Sequence, residues 1–99
     1  FLIKSQKNRQ FLTVESDQNG AKFFTSEKTG NPNQRFTISD GGNHKQHVIY
    51  TYCGKCLDVF EAKKSNGTKV IQWEPNGNKN QLWSFCDPSN ITSSSSDIE

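Results

Sequence analysis

The stretch GAKFFTSEKTGNPNQRFTI, residues 20–38, lies without a gap over GTKVIQWEPNGNKNQLWSF, residues 67–85, and seven of the nineteen positions are identical. The identities are Gly20 with Gly67, Lys22 with Lys69, Glu27 with Glu74, Gly30 with Gly77, Asn31 with Asn78, and the pair Asn33-Gln34 with Asn80-Gln81. Upstream, FLTV at 11–14 falls over CLDV at 56–59 once a two-residue difference in the intervening loop is allowed. Self-similarity at this period means that one supersecondary unit is built twice, so whatever the first half folds into the second half must fold into as well. Each unit is about forty to fifty residues long.

What that unit contains follows from its punctuation. Apolar residues come in short bursts, FLIKS, QFLTV, KFFTS and RFTIS in the first copy, then HVIYTY, KCLDVF, KVIQW and LWSF in the second, four to a copy. Turn clusters divide them, with Asn-Gly at 19–20, 66–67 and 76–77 supplying the positive-φ residue of a tight hairpin. No long helical period is present. Short strands at close, regular intervals predict an all-β barrel or sandwich. The core must be small, because only 30% of the 99 residues are hydrophobic. Repeat one is expected over about 1–39 and repeat two over about 46–87, within a single domain of residues 1–89. The serine-rich 90–99 has nothing to pack and reads as a flexible tail.

The two copies differ at informative places. Phe36 stands where Trp83 stands, aromatic for aromatic, as a core position behaves when a unit is duplicated. Ser26 stands where Trp73 stands, so Trp73 is expected to face outward. Thr13 stands where Asp58 stands, so the second copy alone pairs an aspartate with an exposed indole. An indole can pack on the C–H face of a sugar ring, a carboxylate accepts from adjacent hydroxyls, and a side-chain amide both donates and accepts. These residues predict a sugar site with Asp58 as acceptor, Trp73 as platform, Asn80 as the other polar arm and Gln81 bracing Asp58 from behind.

The order GKCLDV, NGT, a strand ending in Trp73, then NGNKNQLWSF resembles the ricin-type, or R-type, lectin repeat with its Q-x-W signature, here Gln81-Leu82-Trp83. The likeness is strong over 54–85 and weaker over 3–38. It implies a β-trefoil that binds galactose-type or related sugars in shallow sites. It also implies that Asp58, Trp73, Asn80 and Gln81 form the live site, while repeat one, keeping only Asn33 and Gln34, has a dead one. Three departures stand against the pattern. Glu74-Pro75 occupies the place where the family often has a cysteine partner for Cys56, Ile71 replaces a frequent glutamine, and two repeats make only about two-thirds of a three-repeat barrel. Open strand edges seek partners. The chain is therefore expected to be a partial or oligomer-completed trefoil that self-associates or packs on another segment, with Phe1, Leu2 and Ile3 buried in a barrel or interface.

Other functions fit less well. Twelve basic and ten acidic residues sum to +2, and the basic ones are scattered among acids, which is not a phosphate-binding footprint, so no nucleic-acid partner is expected. No apolar run is long enough for a membrane span. Asp58 has no placed acid or base partner, and no enzyme, cofactor or metal is expected. Cys53-Gly54-Lys55-Cys56 has redox or half-zinc spacing but lacks a second ligand pair, and His44 and His47 read as loop residues. With Cys86 the count is odd and the pairing stays open. The sequons Asn66-Gly67-Thr68 and Asn90-Ile91-Thr92 point to an extracellular or secreted protein whose partner is a glycan or glycoprotein. The alternative is a trefoil serving as a protein-interaction or structural module after losing its sugar site.

Overall fold

The computed structural model describes residues 1–43 and 46–85. His44, Cys86, the second sequon and the tail 90–99 lie outside the described residues. Among the described residues six strands form two antiparallel sheets. In the first, β1 (Phe11–Val14) pairs with β2 (Phe23–Ser26). In the second, β3 (Thr37–Asn43), β4 (Gln46–Tyr50), β5 (Cys56–Val59) and β6 (Val70–Trp73) follow one another in chain order. The two outermost bursts of the sequence do not form ladders of their own and contribute single bridges, Lys4 to Phe11 and Trp83 to His47. Counted with those bridges, each repeat has its four strand positions. The described residues also include three short 3-10 turns, Pro32–Gln34, Phe60–Ala62 and Lys79–Gln81, which the strand pattern does not signal.

The duplication holds bond for bond. In repeat one the backbones of Phe1 and Phe36 exchange hydrogen bonds of 2.7 and 2.9 Å. In repeat two His47 and Trp83 do the same at 2.8 Å each way. The first turn closes with Ser5 N–H on Gln10 C=O at 2.8 Å in one copy and Thr51 N–H on Lys55 C=O at 2.7 Å in the other. Register across β5 and β6 sets Cys56 opposite Trp73, Asp58 opposite Ile71 and Val59 opposite Val70. Because side chains alternate along a strand, Cys56, Asp58, Ile71 and Trp73 share one face of this hairpin, and Leu57 faces the core with Gln72 across from it.

The core is drawn equally from both copies. Phe36, Ile49, Leu57 and Trp83 are buried together, with Ile3, Leu12, Phe23, Ile38, Val59 and Val70 packed around them. Trp83, 7% exposed, fits there because its indole N–H reaches Leu57 C=O at 3.2 Å, so the ring enters the core without stranding a donor. Gln72, which is fully buried, ties the copies together. Its amide nitrogen donates to Ser16 and Gln18 C=O at 3.0 Å each, and its oxygen accepts from Thr51 Oγ1 at 2.6 Å. Backbone bonds at the same place, Gly20 N–H to Gln72 C=O at 2.7 Å and Gln72 N–H to Ala21 C=O at 2.9 Å, complete the seam.

The N-terminal residues depart in part from expectation. The Phe1 backbone is paired with Phe36, but its side chain is 75% exposed, and Leu2 is exposed as well. Among the described residues nothing covers these two side chains, whereas Ile3 behind them packs on the core.

Candidate functional site

Repeat two carries a cleft of about 320 Å³ lined by Asp58, Phe60, Glu61, Ile71, Trp73, Asn76 and Asn80. Three elements build it. β5 supplies Asp58 from the centre of a buried strand, β6 ends in Trp73, and the turn Lys79–Gln81 brings Asn80 and Gln81 back beneath β5. Gly77, at φ 74°, permits the reversal that precedes that turn.

Asp58 is held by side-chain amides. Asn80 Nδ2 donates to its Oδ1 at 3.1 Å and Gln81 Nε2 donates to its Oδ2 at 2.8 Å. A carboxylate has about four lone-pair directions, so two remain for a ligand after both amides are served. Gln81 is almost wholly buried and uses every group it has: its amide also donates to Glu74 C=O at 2.9 Å, and its oxygen accepts Asn76 N–H at 2.9 Å. It is a bracket between the turn and the carboxylate, with nothing left to touch a ligand.

Asn80 differs from expectation in one respect. Both its amide hydrogens are taken, one by Asp58 and the other by Val59 C=O at 3.1 Å, so toward the cleft it can offer only its Oδ1 acceptor. The floor of the site is therefore rich in acceptors, which suits a ligand bearing several O–H donors. Trp73, 42% exposed, stands at one end of the floor as its broadest apolar surface.

The same positions in repeat one hold a different network. Gln34 keeps the bracket, donating to Glu27 C=O at 2.8 Å and accepting Thr29 N–H at 2.9 Å. Asn33 Nδ2 reaches Val14 C=O at 3.2 Å as Asn80 reaches Val59. Where the carboxylate would lie, Thr13 and Ser26 bond each other at 3.1 Å, and both accept from Gln34. Asn33 Oδ1 is buried without a partner.

Phe60, Glu61 and Asn76 were missed in the sequence. The first two lie in the loop that is two residues longer in repeat two than in repeat one, and that length difference is the signal that could have found them. The cysteines take no part in the cleft's lining. Cys53 and Cys56 are both free thiols. Cys56 has no exposed surface, and burial first, then the charges of Asp58 and Glu74, raise its pKa from 9.0 to about 11. Among the described residues no group of His, Cys, Asp and Glu is arranged to hold a metal ion, and no helix is long and apolar enough to cross a membrane.

A family model described as the ricin-type β-trefoil lectin domain-like family matches residues 1–73 and, overlapping, 51–97. The chain belongs to that family. The overlap, residues 51–73, lies within repeat two. Membership makes this a carbohydrate-binding type of module. Among solved structures the ricin-type chain is similar to a designed three-fold symmetric protein, ThreeFoil, with a TM-score of 0.84 and 28% identity over 90% of this chain and 65% of that one. It is also similar to part of an exo-β-1,3-galactanase from Clostridium thermocellum, with a TM-score of 0.79 and 29% identity over 84% of this chain and 18% of the enzyme. The chain thus spans slightly less than two-thirds of a protein with three-fold symmetry. No curated protein matches it.

Proposed function

We propose that repeat two binds one sugar ring, galactose-type or a related glycan, and that the module is a binding part without catalytic activity. The observation that carries this reading is the Asp58 carboxylate, aimed by Asn80 and Gln81 beside an exposed Trp73, in the one repeat that has both. Asp58 and Asn80 Oδ1 accept from neighbouring hydroxyls and Trp73 packs on the sugar's C–H face. A cleft of about 320 Å³ is at the small end of ligand sites, which run from about 300 to 1,000 Å³, so it holds a ring and not a chain. Single-site affinity is weak, and repetition on a surface or assembly supplies avidity.

The test is a glycan array followed by titration with methyl β-galactoside, read by calorimetry so that one readout serves a variant without Trp73. Trp73→Ala abolishes binding and Ser26→Ala leaves it unchanged. The opposite pattern would transfer the site to repeat one. Binding of a protein partner with no glycan dependence would favour the interaction-module reading, for which the replaced site of repeat one is the supporting observation.

The partner reading includes a second component. Equivalent positions in the two copies are unequally covered: Ile71 lies against repeat one and is 5% exposed, whereas Phe24, its counterpart, is 48% exposed. Ile49 is buried while Ile3 is half-buried, and Phe85 is 57% exposed. These residues, with Phe1 and Leu2, mark the face that a further repeat would cover, and we propose that another copy or another segment packs there. Sedimentation at micromolar concentration then gives a species above 11.2 kDa. A monodisperse monomer that unfolds in one cooperative step excludes the self-association arm.

The extracellular assignment is likewise a proposal. Asn66 is exposed in its turn and accessible to glycosylation. A mass shift on glycosidase treatment of the protein from its native source tests it.

A further inference from the structure

The hairpin loop between β5 and β6 is bent in a way its counterpart is not. Glu61 and Ala62 sit consecutively in the left-handed region at φ 52° and 54°, where residues with a side chain are disfavoured. The fold does not demand this. Repeat one closes the equivalent hairpin with two fewer residues, and its only positive φ there belongs to Gly20, matched by Gly67 in repeat two. The remaining non-glycine residue with positive φ, Arg9 at 60°, is explained by the duplication, since it occupies the turn position that Gly54 fills at 84°. Glu61 and Ala62 have no such counterpart. Strain that the scaffold can do without is characteristic of sites where a side chain has to be aimed.

What the bend aims is set by register. Asp58 lies midway along the β5/β6 hairpin, Trp73 is two residues toward one end, and Phe60–Ala62 follows Val59 at the other. At about 3.3 Å per residue, the indole and the loop flank the carboxylate at opposite ends of the floor. Phe60 and Glu61 both line the cleft. The turn is fixed by Phe60 N–H on Lys69 C=O at 3.0 Å and Lys63 N–H on Phe60 C=O at 3.2 Å. Lys69 Nζ lies 4.3 Å from the centre of the Phe60 ring, which holds that ring in place. The Glu61 carboxylate has one loose partner, Lys63 at 3.6 Å, and both are well exposed, so it stays free to accept from a ligand.

We propose that Phe60–Ala62 is a specificity lip for the second-repeat site, in which Glu61 accepts a hydrogen bond from a sugar hydroxyl beyond those engaged by Asp58, and Phe60 closes the end of the cleft away from Trp73. The proposal rests on the sugar-site reading given above. With Asp58, Asn80 Oδ1 and Glu61 all accepting, the preferred ligand is a terminal sugar ring that presents several hydroxyl donors to one edge. An analogue that loses a hydroxyl's donor hydrogen, such as a deoxyfluoro or O-methyl sugar, leaves these acceptors desolvated and unpaired.

The test uses the full chain and methyl β-galactoside with its deoxyfluoro analogues, comparing the parent with Glu61→Gln, Glu61→Gly, Phe60→Ala and Trp73→Ala by titration calorimetry and by melting temperature. Glu61→Gln lowers affinity about fivefold for the parent sugar and erases the penalty for one fluorinated position, with the melting temperature unchanged. Glu61→Gly relieves the left-handed strain, so its melting temperature stays level or rises while affinity falls. Phe60→Ala weakens every sugar tested. If the parent binds and Trp73→Ala does not, yet the Glu61 and Phe60 variants bind as the parent does, the lip is overturned and the sugar site stands. If Glu61→Gly lowers the melting temperature with affinity intact, the bend serves the fold and the proposal also fails. No binding by the parent removes the lip together with the site.

Discussion

Repeats one and two share a backbone and a bracket, and differ in what the bracket holds. Gln34 and Gln81 make the same two backbone bonds to the turn around them, at 2.8 to 2.9 Å. Beyond the bracket, Gln81 and Asn80 converge on a carboxylate, while Gln34 meets two hydroxyls and Asn33 keeps a buried oxygen with no partner. Leaving a buried acceptor unpaired costs about 1–3 kcal/mol. The comparison teaches that the N-Q pair belongs to the fold and the Asp58–Trp73 pair does not. Repeat one keeps the pair that closes its turn, with the Asn33 amide oxygen unpaired.

The largest effect separates the two tryptophans. Trp83→Ala opens a cavity among Phe36, Ile49 and Leu57 and lowers stability by about 3–5 kcal/mol, measured by urea unfolding. Trp73→Ala changes stability by less than about 0.5 kcal/mol, because its ring is partly in water and fills no space in the core. Equal losses would mean that Trp73 is a structural residue and would dissolve the difference between the repeats at that position.

Much of this was legible because duplication supplies an internal control. Phe36 against Trp83 identifies a core position, and Ser26 against Trp73 identifies one that is free to change, with no other sequence needed. The glycines at 20, 67 and 77 announce their turns, and all three adopt positive φ. What stayed hidden has physical reasons. Gln72 joins residues more than fifty positions away and looks like any polar strand residue until the copies are docked. Glu61 and Ala62 adopt a conformation that local propensity argues against. Asn80 was legible as a polar arm, but only its donated bonds to Asp58 and Val59 C=O reveal that toward a ligand it has an acceptor alone to offer.

A smaller effect tests the bracket. Gln81→Leu strands Glu74 C=O, Asn76 N–H and one oxygen of a buried carboxylate, whereas Gln34→Leu strands two backbone groups and leaves the Thr13 and Ser26 hydroxyls bonded to each other. Both variants lose stability, and Gln81→Leu loses more by about 1–2 kcal/mol. A larger loss at Gln34 would show that the hydroxyl network, and not the carboxylate, is the more demanding of the two. Alkaline titration probes the same neighbourhood. The Cys56 pKa is raised on folding, so the stability it contributes is fully present below pH 9.0 and is lost as pH rises through about 11. Cys56→Ala flattens that fall relative to the parent. In the native state at pH 8, a thiol alkylating reagent modifies Cys53 well ahead of Cys56, as mass spectrometry of the digested protein will show.

The smallest effect, and the finest cut between the repeats, comes from moving the site. Thr13→Asp with Ser26→Trp installs in repeat one the carboxylate and indole that repeat two possesses. The introduced carboxylate meets Gln34 Nε2, which now reaches Thr13 at 3.2 Å, and Asn33 Nδ2, which has a hydrogen to spare beyond its bond to Val14 C=O. Two amide donors offset most of the cost of burying the charge, and the lost hydroxyl bonds are replaced, so stability moves by no more than about 1 kcal/mol. Binding is where the repeats should still part. The loop after Val14 is two residues shorter than the loop after Val59 and holds Glu15 in the place of Phe60, bonded to Lys22 C=O as Phe60 is to Lys69 C=O, so the transplanted site gains a floor and a platform but no aromatic lip. Titration of the double variant carrying an intact repeat two then gives two events, one at the parent affinity and one several-fold weaker. Two equal sites would mean that the lip adds nothing. A single site in a correctly folded double variant would mean that carboxylate and indole are insufficient, and that the longer loop is what divides a binding repeat from a structural one.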